Sequence, residues 1–172
     1  MSAPFTVPAA VPAAVRRGGD AVLSAAAGAL RARRWDEADR LCRQVLRLDP
    51  DHALGVHLLG LAAHRGSRFA DALPLLRRSV ALDDAQPLWW FNLGLAHVGA
   101  GHPAEAAACF RTALRLQPYH VPSIYLLGRC LIDMGLLPEA SAALAQVLRI
   151  EPEHDEARGL LDSITRQMRA AA

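Results

Sequence analysis

The chain has 172 residues, 52% of them hydrophobic, with a formal net charge of only +2. That length fits one ordinary domain or a short repeat array, and the charge balance argues against a nucleic-acid-binding surface. All 19 basic residues are arginine, which excludes a Schiff-base lysine and a P-loop lysine.

Three cysteines, Cys42, Cys109 and Cys130, stand far apart with no CxxC pair. That spacing fits reduced thiols in a cytoplasmic protein rather than a disulfide framework or a zinc site. No apolar run approaches the length of a membrane span. The N-terminus lacks the early positive region and continuous apolar core of a signal peptide.

Residues 1–18 carry Pro4, Pro8 and Pro12. Proline removes a backbone donor and fixes φ, so this segment is expected to be a disordered arm without stable helix. Gly18 and Gly19 interrupt the chain, and Asp20 offers an N-cap. Predicted helices then follow in pairs over 20–33 and 35–48, 53–65 and 69–82, 87–100 and 103–116, and 121–134 and 137–150. A last helix is expected over about 155–170, after Pro152.

The pairs repeat. Leu59-Gly60, Leu93-Gly94 and Leu127-Gly128 recur at 34-residue spacing, as do Ala38, Ala72, Ala106 and Ala140. Pro50, Pro118 and Pro152 close three units, and Asp84 stands at that place in the other. A period of this length means stacked supersecondary units rather than one globular core. The units are 19–52, 53–86, 87–120 and 121–154, with 155–172 as a C-terminal capping helix and tail. A glycine inside a helix costs about 1 kcal/mol against alanine. Gly60, Gly94 and Gly128 are therefore expected where the paired helices approach closely, with the recurring alanines as the small residues opposite. Asp36, Glu37, Asp71, Glu105 and Glu139 begin second helices, and Arg47, Arg115 and Arg149 end them, as the helix dipole favours.

No nucleophile–base set, phosphate-cradling loop or metal motif is present. His57 and His64 lie seven apart, a poor metal spacing. His52, His120 and His154 recur just after the turn that ends a unit, which points to a role in starting the next helix. Neither catalysis nor a cofactor is expected.

These residues together resemble the tetratricopeptide repeat. The third unit matches its pattern best through Trp90, Leu93, Gly94, Gly101, Ala106, Phe110, Ala113 and Pro118. The tyrosine that the family carries late in the first helix is replaced by Ala29, Ala63, His97 and Leu131. The resemblance implies an all-α fold, a right-handed α-solenoid whose concave face is lined by first helices and binds a peptide segment of a partner. Its groove would be formed by His57, Leu61, His64, Phe91, Asn92, Leu95, Tyr125 and Arg129, with Leu54, Leu88, Val98 and Ile132 beside them. Asn92 would hold a peptide backbone and Arg129 a carboxylate.

The carboxylate clamp of some family members is absent. In one register its positions hold Leu23, Ala27, Leu58, Leu88 and Asn92, and in the other His57, Leu61, Asn92, Pro122 and Leu126. The resemblance leaves three roles open. One is a cytoplasmic scaffold or adaptor, another a chaperone of type III secretion translocators, and the third a recognition module working with a separate glycosyltransferase or sulfotransferase. No nucleic-acid partner and no membrane insertion are expected. The uncapped N-terminal end is a candidate surface for self-association.

Overall fold

The computed structural model describes residues 13–170, and among these it holds nine α-helices and no strand. They are α1 (Ala13–Arg31), α2 (Trp35–Leu46), α3 (Ala53–Arg65), α4 (Phe69–Leu82), α5 (Pro87–Gly99), α6 (Pro103–Leu116), α7 (Val121–Asp133), α8 (Leu137–Ile150) and α9 (Asp155–Ala170). Each helix packs on the next in sequence, so the core runs along an α-solenoid as a chain of small clusters. First helices also meet one another directly, α1 with α3 and α3 with α5, whereas second helices make no comparable contact. First helices therefore form the inner layer of the stack and second helices the outer one.

Helix ends follow the local chemistry. Proline occupies the first turn of α5, α6, α7 and α8, where its missing N–H is no loss. The three recurring histidines do start helices. His52 Nδ1 accepts from the Gly55 N–H at 3.3 Å, His154 Nδ1 accepts from the Ala157 N–H at 3.4 Å, and His120 Nδ1 lies 2.7 Å from Ser123 Oγ.

The turn inside every unit is built one way. The residue at its apex is left-handed: Arg33 (φ +59°), Ser67 (φ +60°), Gly101 (φ +77°) and Gly135 (φ +74°). The next N–H bonds back across the turn, Arg34 to Ala29, Arg68 to Ala63, His102 to His97 and Leu136 to Leu131. This is the hydrogen-bond pattern that ends a helix through a left-handed residue. Glycine meets that demand in the last two units only. In the second unit the glycine precedes the apex, at Gly66, and Ser67 bears the strained angle.

The glycines of first helices mark the close approach, but what they face differs from the expectation. A Cβ at Gly60 would lie 2.8 Å from Leu76 Cγ, one at Gly94 would lie 2.6 Å from Phe110 Cε1, and one at Gly128 would lie 3.2 Å from Leu144 Cγ. The glycine receives a large, fully buried apolar side chain of the second helix, not an alanine. The first unit differs, with Ala26 in place of the glycine and Cys42 in place of the large residue, both fully buried in one cluster. The recurring alanines serve the seam between units instead: Ala38 shares a cluster with Ala29 of its own unit and Ala62 of the next.

The arm boundary also needs correction. Helix α1 begins at Ala13 and runs through Gly18, Gly19 and Asp20, so Asp20 is an interior residue rather than an N-cap. Alanine and arginine around the two glycines favour helix, and the proline effect extends no further than Pro12. Residues 1–12, the rest of the expected arm, and 171–172 lie outside the described residues. At the other end α9 buries Ala157 and Ile164 against the array and turns Arg158, Asp162, Arg166 and Arg169 outward.

Three expected outcomes check this packing and its turns. Gly94→Ala should lose about 1–3 kcal/mol by overpacking the rigid Phe110 ring. Gly128→Ala should stay within about 1 kcal/mol of the parent, since Leu144 can yield and the helix gains propensity. Ser67→Gly should gain on the order of 1 kcal/mol by relieving the left-handed angle. Urea unfolding of the three variants measures all of these.

Candidate functional site

The inner layer carries the residues expected to line a groove, and their fates diverge. Leu61, His64, Phe91, Leu95 and Tyr125 are half-buried, Arg129 is exposed, and Leu54, Leu88 and Val98 are exposed at 40%, 56% and 40%. His57 and Asn92 are not groove surface: only 3% and 8% of their area reaches solvent.

His57 and Asn92 belong to a polar chain linking two units. Asn92 Nδ2 donates to His57 Nε2 at 3.1 Å, His57 Nδ1 donates to Ser79 Oγ at 3.2 Å, and Ser79 Oγ donates to the Leu76 carbonyl at 2.8 Å. An amide nitrogen can only donate, so Nε2 must accept and the imidazole proton must sit on Nδ1. Each member then has a partner, as burial requires. Trp89 stacks on His57, its ring centroid 4.5 Å away and tilted by 11°, and covers it from one side. Desolvation pushes the His57 pKa down to about 3, so the ring is neutral. Asn92 is therefore occupied inside the stack and is withdrawn from holding a peptide backbone.

The residues equivalent to His57 in the next units are Phe91 and Tyr125, and each packs against the histidine that ends its own unit. Phe91 meets His120 edge-on at 4.9 Å, and Tyr125 lies 4.9 Å from His154. Phe91 also leans on Phe110 at 5.8 Å. These rings give the inner layer its shape and present only part of their area to it. What remains accessible is an apolar strip of Leu54, Leu61, Leu88, Leu95 and Val98, with His64 beside it and Arg129 towards the C-terminal end. Ser79 and Trp89 were not singled out from sequence. Ser79 had a signal: it stands where the other units carry Val45, Ala113 and Val147.

The remaining titratable groups serve packing. Burial raises the Cys42 thiol to about 12, with the nearby Asp39 adding to it, and raises Cys109 to about 11; Cys130 moves the same way. All three are free and buried, which leaves them unreactive. His97, in the place of the family tyrosine, is buried with no partner for Nδ1, and desolvation lowers its pKa. Burial alone would raise Asp39, but hydrogen bonds from Arg43 and Arg68 outweigh it and lower the carboxyl overall. The Arg68 bond, 3.1 Å long, ties the second unit to the first. Among the described residues no cluster of three metal-ligating side chains occurs, and no helix is long and apolar enough to cross a membrane.

Two models described as tetratricopeptide repeat match this chain, one over residues 23–87 and the other over residues 97–164. Solved structures are similar over most of it. YrrB, a tetratricopeptide repeat protein "with an unusual peptide-binding site", superposes with a TM-score of 0.79 at 18% identity, covering 86% of this chain and 76% of that one. An O-GlcNAc transferase mutant from Thermobaculum terrenum gives 0.73 at 27% identity; 84% of this chain is covered, but only 27% of the transferase. The first repeat domain of Spaghetti, bound to an HSP90 peptide, gives 0.64 at 21% identity, covering 67% and 92%. The comparison with curated protein sequences returns no match.

The neutral His57 has a pH consequence. Its folded pKa lies below the unfolded value of 6.5, so the unfolded chain binds the extra proton. Its contribution is complete above about pH 6.5 and is lost as pH falls from there towards 3. Between pH 6.0 and 4.5 this one group removes up to about 2 kcal/mol. His57→Asn should lower stability at pH 7 and show a smaller loss over that interval, as read by urea unfolding at each pH.

Proposed function

Because this chain belongs to the tetratricopeptide repeat proteins, we propose that it is a non-catalytic interaction module holding a peptide segment of a partner protein against its inner layer. The observation that carries the reading is the exposed apolar strip. Leu88 at 56% exposure, with Leu54 and Val98 at 40% each, stands clear of the core on the first helices that form the inner layer. Exposed apolar area gathered in one place is characteristic of surfaces that meet another molecule. The strip accepts apolar side chains of the segment, Leu61 and Leu95 form its floor, and Arg129 at one end takes a carboxylate. YrrB and the Spaghetti domain support the reading as peptide-binding proteins of this fold. The buried, unreactive thiols suit a reducing compartment such as the cytoplasm.

A second reading is favoured by one comparison. The similarity to an O-GlcNAc transferase over about a quarter of that protein's length supports a recognition module that acts with a separate catalytic part. In that case the same strip binds the segment to be modified.

Both readings depend on the strip. Leu54→Asp with Leu88→Asp changes only exposed side chains, so the melting temperature should move by a few degrees at most. Affinity capture by the tagged chain should fall at least about tenfold, the equivalent of 1.4 kcal/mol. Unchanged capture by a folded double variant contradicts the proposal.

A further inference from the structure

At the N-terminal end of the inner layer, a cavity of about 490 Å³ opens between the first two units. Leu30, Trp35 and Leu61 give it an apolar lining, and Arg31, Arg33 and Arg65 give it its charge. We propose that this cavity binds an acidic segment of a partner polypeptide, with aspartate or glutamate carboxylates on the arginines and an intervening apolar side chain against Trp35. The proposal rests on the peptide-binding reading above and names the chemistry of the peptide at this end.

Three observations carry it. First, the arginines are unneutralised. Their neighbours are paired, Arg34 with Glu37, and Arg43 and Arg68 with Asp39, but among the described residues no carboxylate lies within ion-pair distance of Arg31, Arg33 or Arg65. The segments outside the described residues contain no aspartate or glutamate. Three guanidinium groups around one cavity repel one another and favour an anionic occupant. Their planar forks match carboxylates in paired hydrogen bonds.

Second, the next junction is filled where this one is open. One unit later the corresponding residues are His64, Arg65, Ser67, Phe69, Leu95 and Gly99. There the Phe69 ring fills the space: a Cβ on Gly99 would lie 2.7 Å from Phe69 Cε1, and His64 packs edge-on against the same ring at 5.4 Å. With Arg65 in the place of Gly99, and Leu30 in that of His64, Trp35 is left with an open face.

Third, Arg33 holds the left-handed apex of its turn at φ +59°. Gly101 and Gly135 fill that place without strain in the last two units, and Ser67 shares the strained angle in the second. What sets Arg33 apart from Ser67 is that its exposed side chain lines the cavity, so the strained position places a guanidinium there.

An acidic peptide suits the cavity better than a phosphodiester backbone. The charged groups surround apolar walls rather than forming a continuous basic track, and the chain as a whole carries only +2. The size is that of a site for a few side chains.

The test uses the full chain and fluorescence anisotropy with three labelled probes: a peptide of glutamates interrupted by leucine, its glutamine counterpart, and a single-stranded oligothymidylate. The glutamate peptide should bind, and the other two should bind at least about tenfold more weakly. Arg31→Gln with Arg65→Gln should weaken the glutamate peptide at least about tenfold without a change of melting temperature. Arg33→Gly should raise the melting temperature and still weaken the probe, a combination that a purely structural role does not produce. No binding of the glutamate peptide, equal binding of the glutamine peptide, tighter binding of the oligonucleotide, or full binding by the arginine variants each overturns the proposal. Leu54→Asp with Leu88→Asp separates the two claims. Capture lost in that variant with the acidic probe indifferent to the arginines leaves the groove and removes the acidic segment. The reverse leaves the basic cavity and removes the groove.

Discussion

A glycine notch in the first helix of each of the last three units, filled by a buried leucine or phenylalanine of the paired helix, is the contact on which the rest of the structure depends. Gly60, Gly94 and Gly128 admit Leu76, Phe110 and Leu144 to distances that a Cβ would contest. The helix gives up about 1 kcal/mol of propensity at each glycine. In return a side chain of leucine or phenylalanine size is wholly removed from water, worth roughly 1.5–3 kcal/mol. The first unit carries Ala26 and Cys42 at these places instead. What recurs in the last three units is an absent side chain on the first helix facing a large one on the second.

That nesting determines what faces inward. Second helices drawn tightly onto first helices leave the first helices to meet across units, and the inner layer becomes a continuous surface. Part of it is sealed. The chain from Asn92 through His57 and Ser79 to the Leu76 carbonyl joins the second and third units, and it holds together only while His57 is neutral. The remainder, an apolar strip with a basic cavity at one end and Arg129 towards the other, is open to a ligand. Rigidity and recognition thus share one helix face, residue by residue.

Most of the fold was legible because it is written four times. The 34-residue period fixed the register, and every helix from α3 to α9 begins where the sequence placed it. Two features were not legible. Residues 13–18 join α1 because alanine and arginine outweigh the two glycines beside them, a balance that proline counting alone misses. The partners of the glycines were misassigned because small-against-small is the simpler rule, whereas this interface uses absent-against-large. At the candidate site the sequence located the layer but not the exposure. A histidine and an asparagine on a groove-facing stripe look like ligand contacts until Ser79 of α4 and Trp89 of α5 are seen to enclose His57, and Asn92 to bond to it. Ser79 in an otherwise apolar repeat position was the one warning.

The most direct measurement of the central claim is a double-mutant cycle between Gly94 and Phe110. If the notch and the ring form one packing unit, Gly94→Ala is damaging beside Phe110 and far less so beside Phe110→Leu, with a coupling energy of at least about 1 kcal/mol in urea unfolding. Strictly additive losses would mean that the two residues do not meet as described, and the account of how these units nest would fall with them.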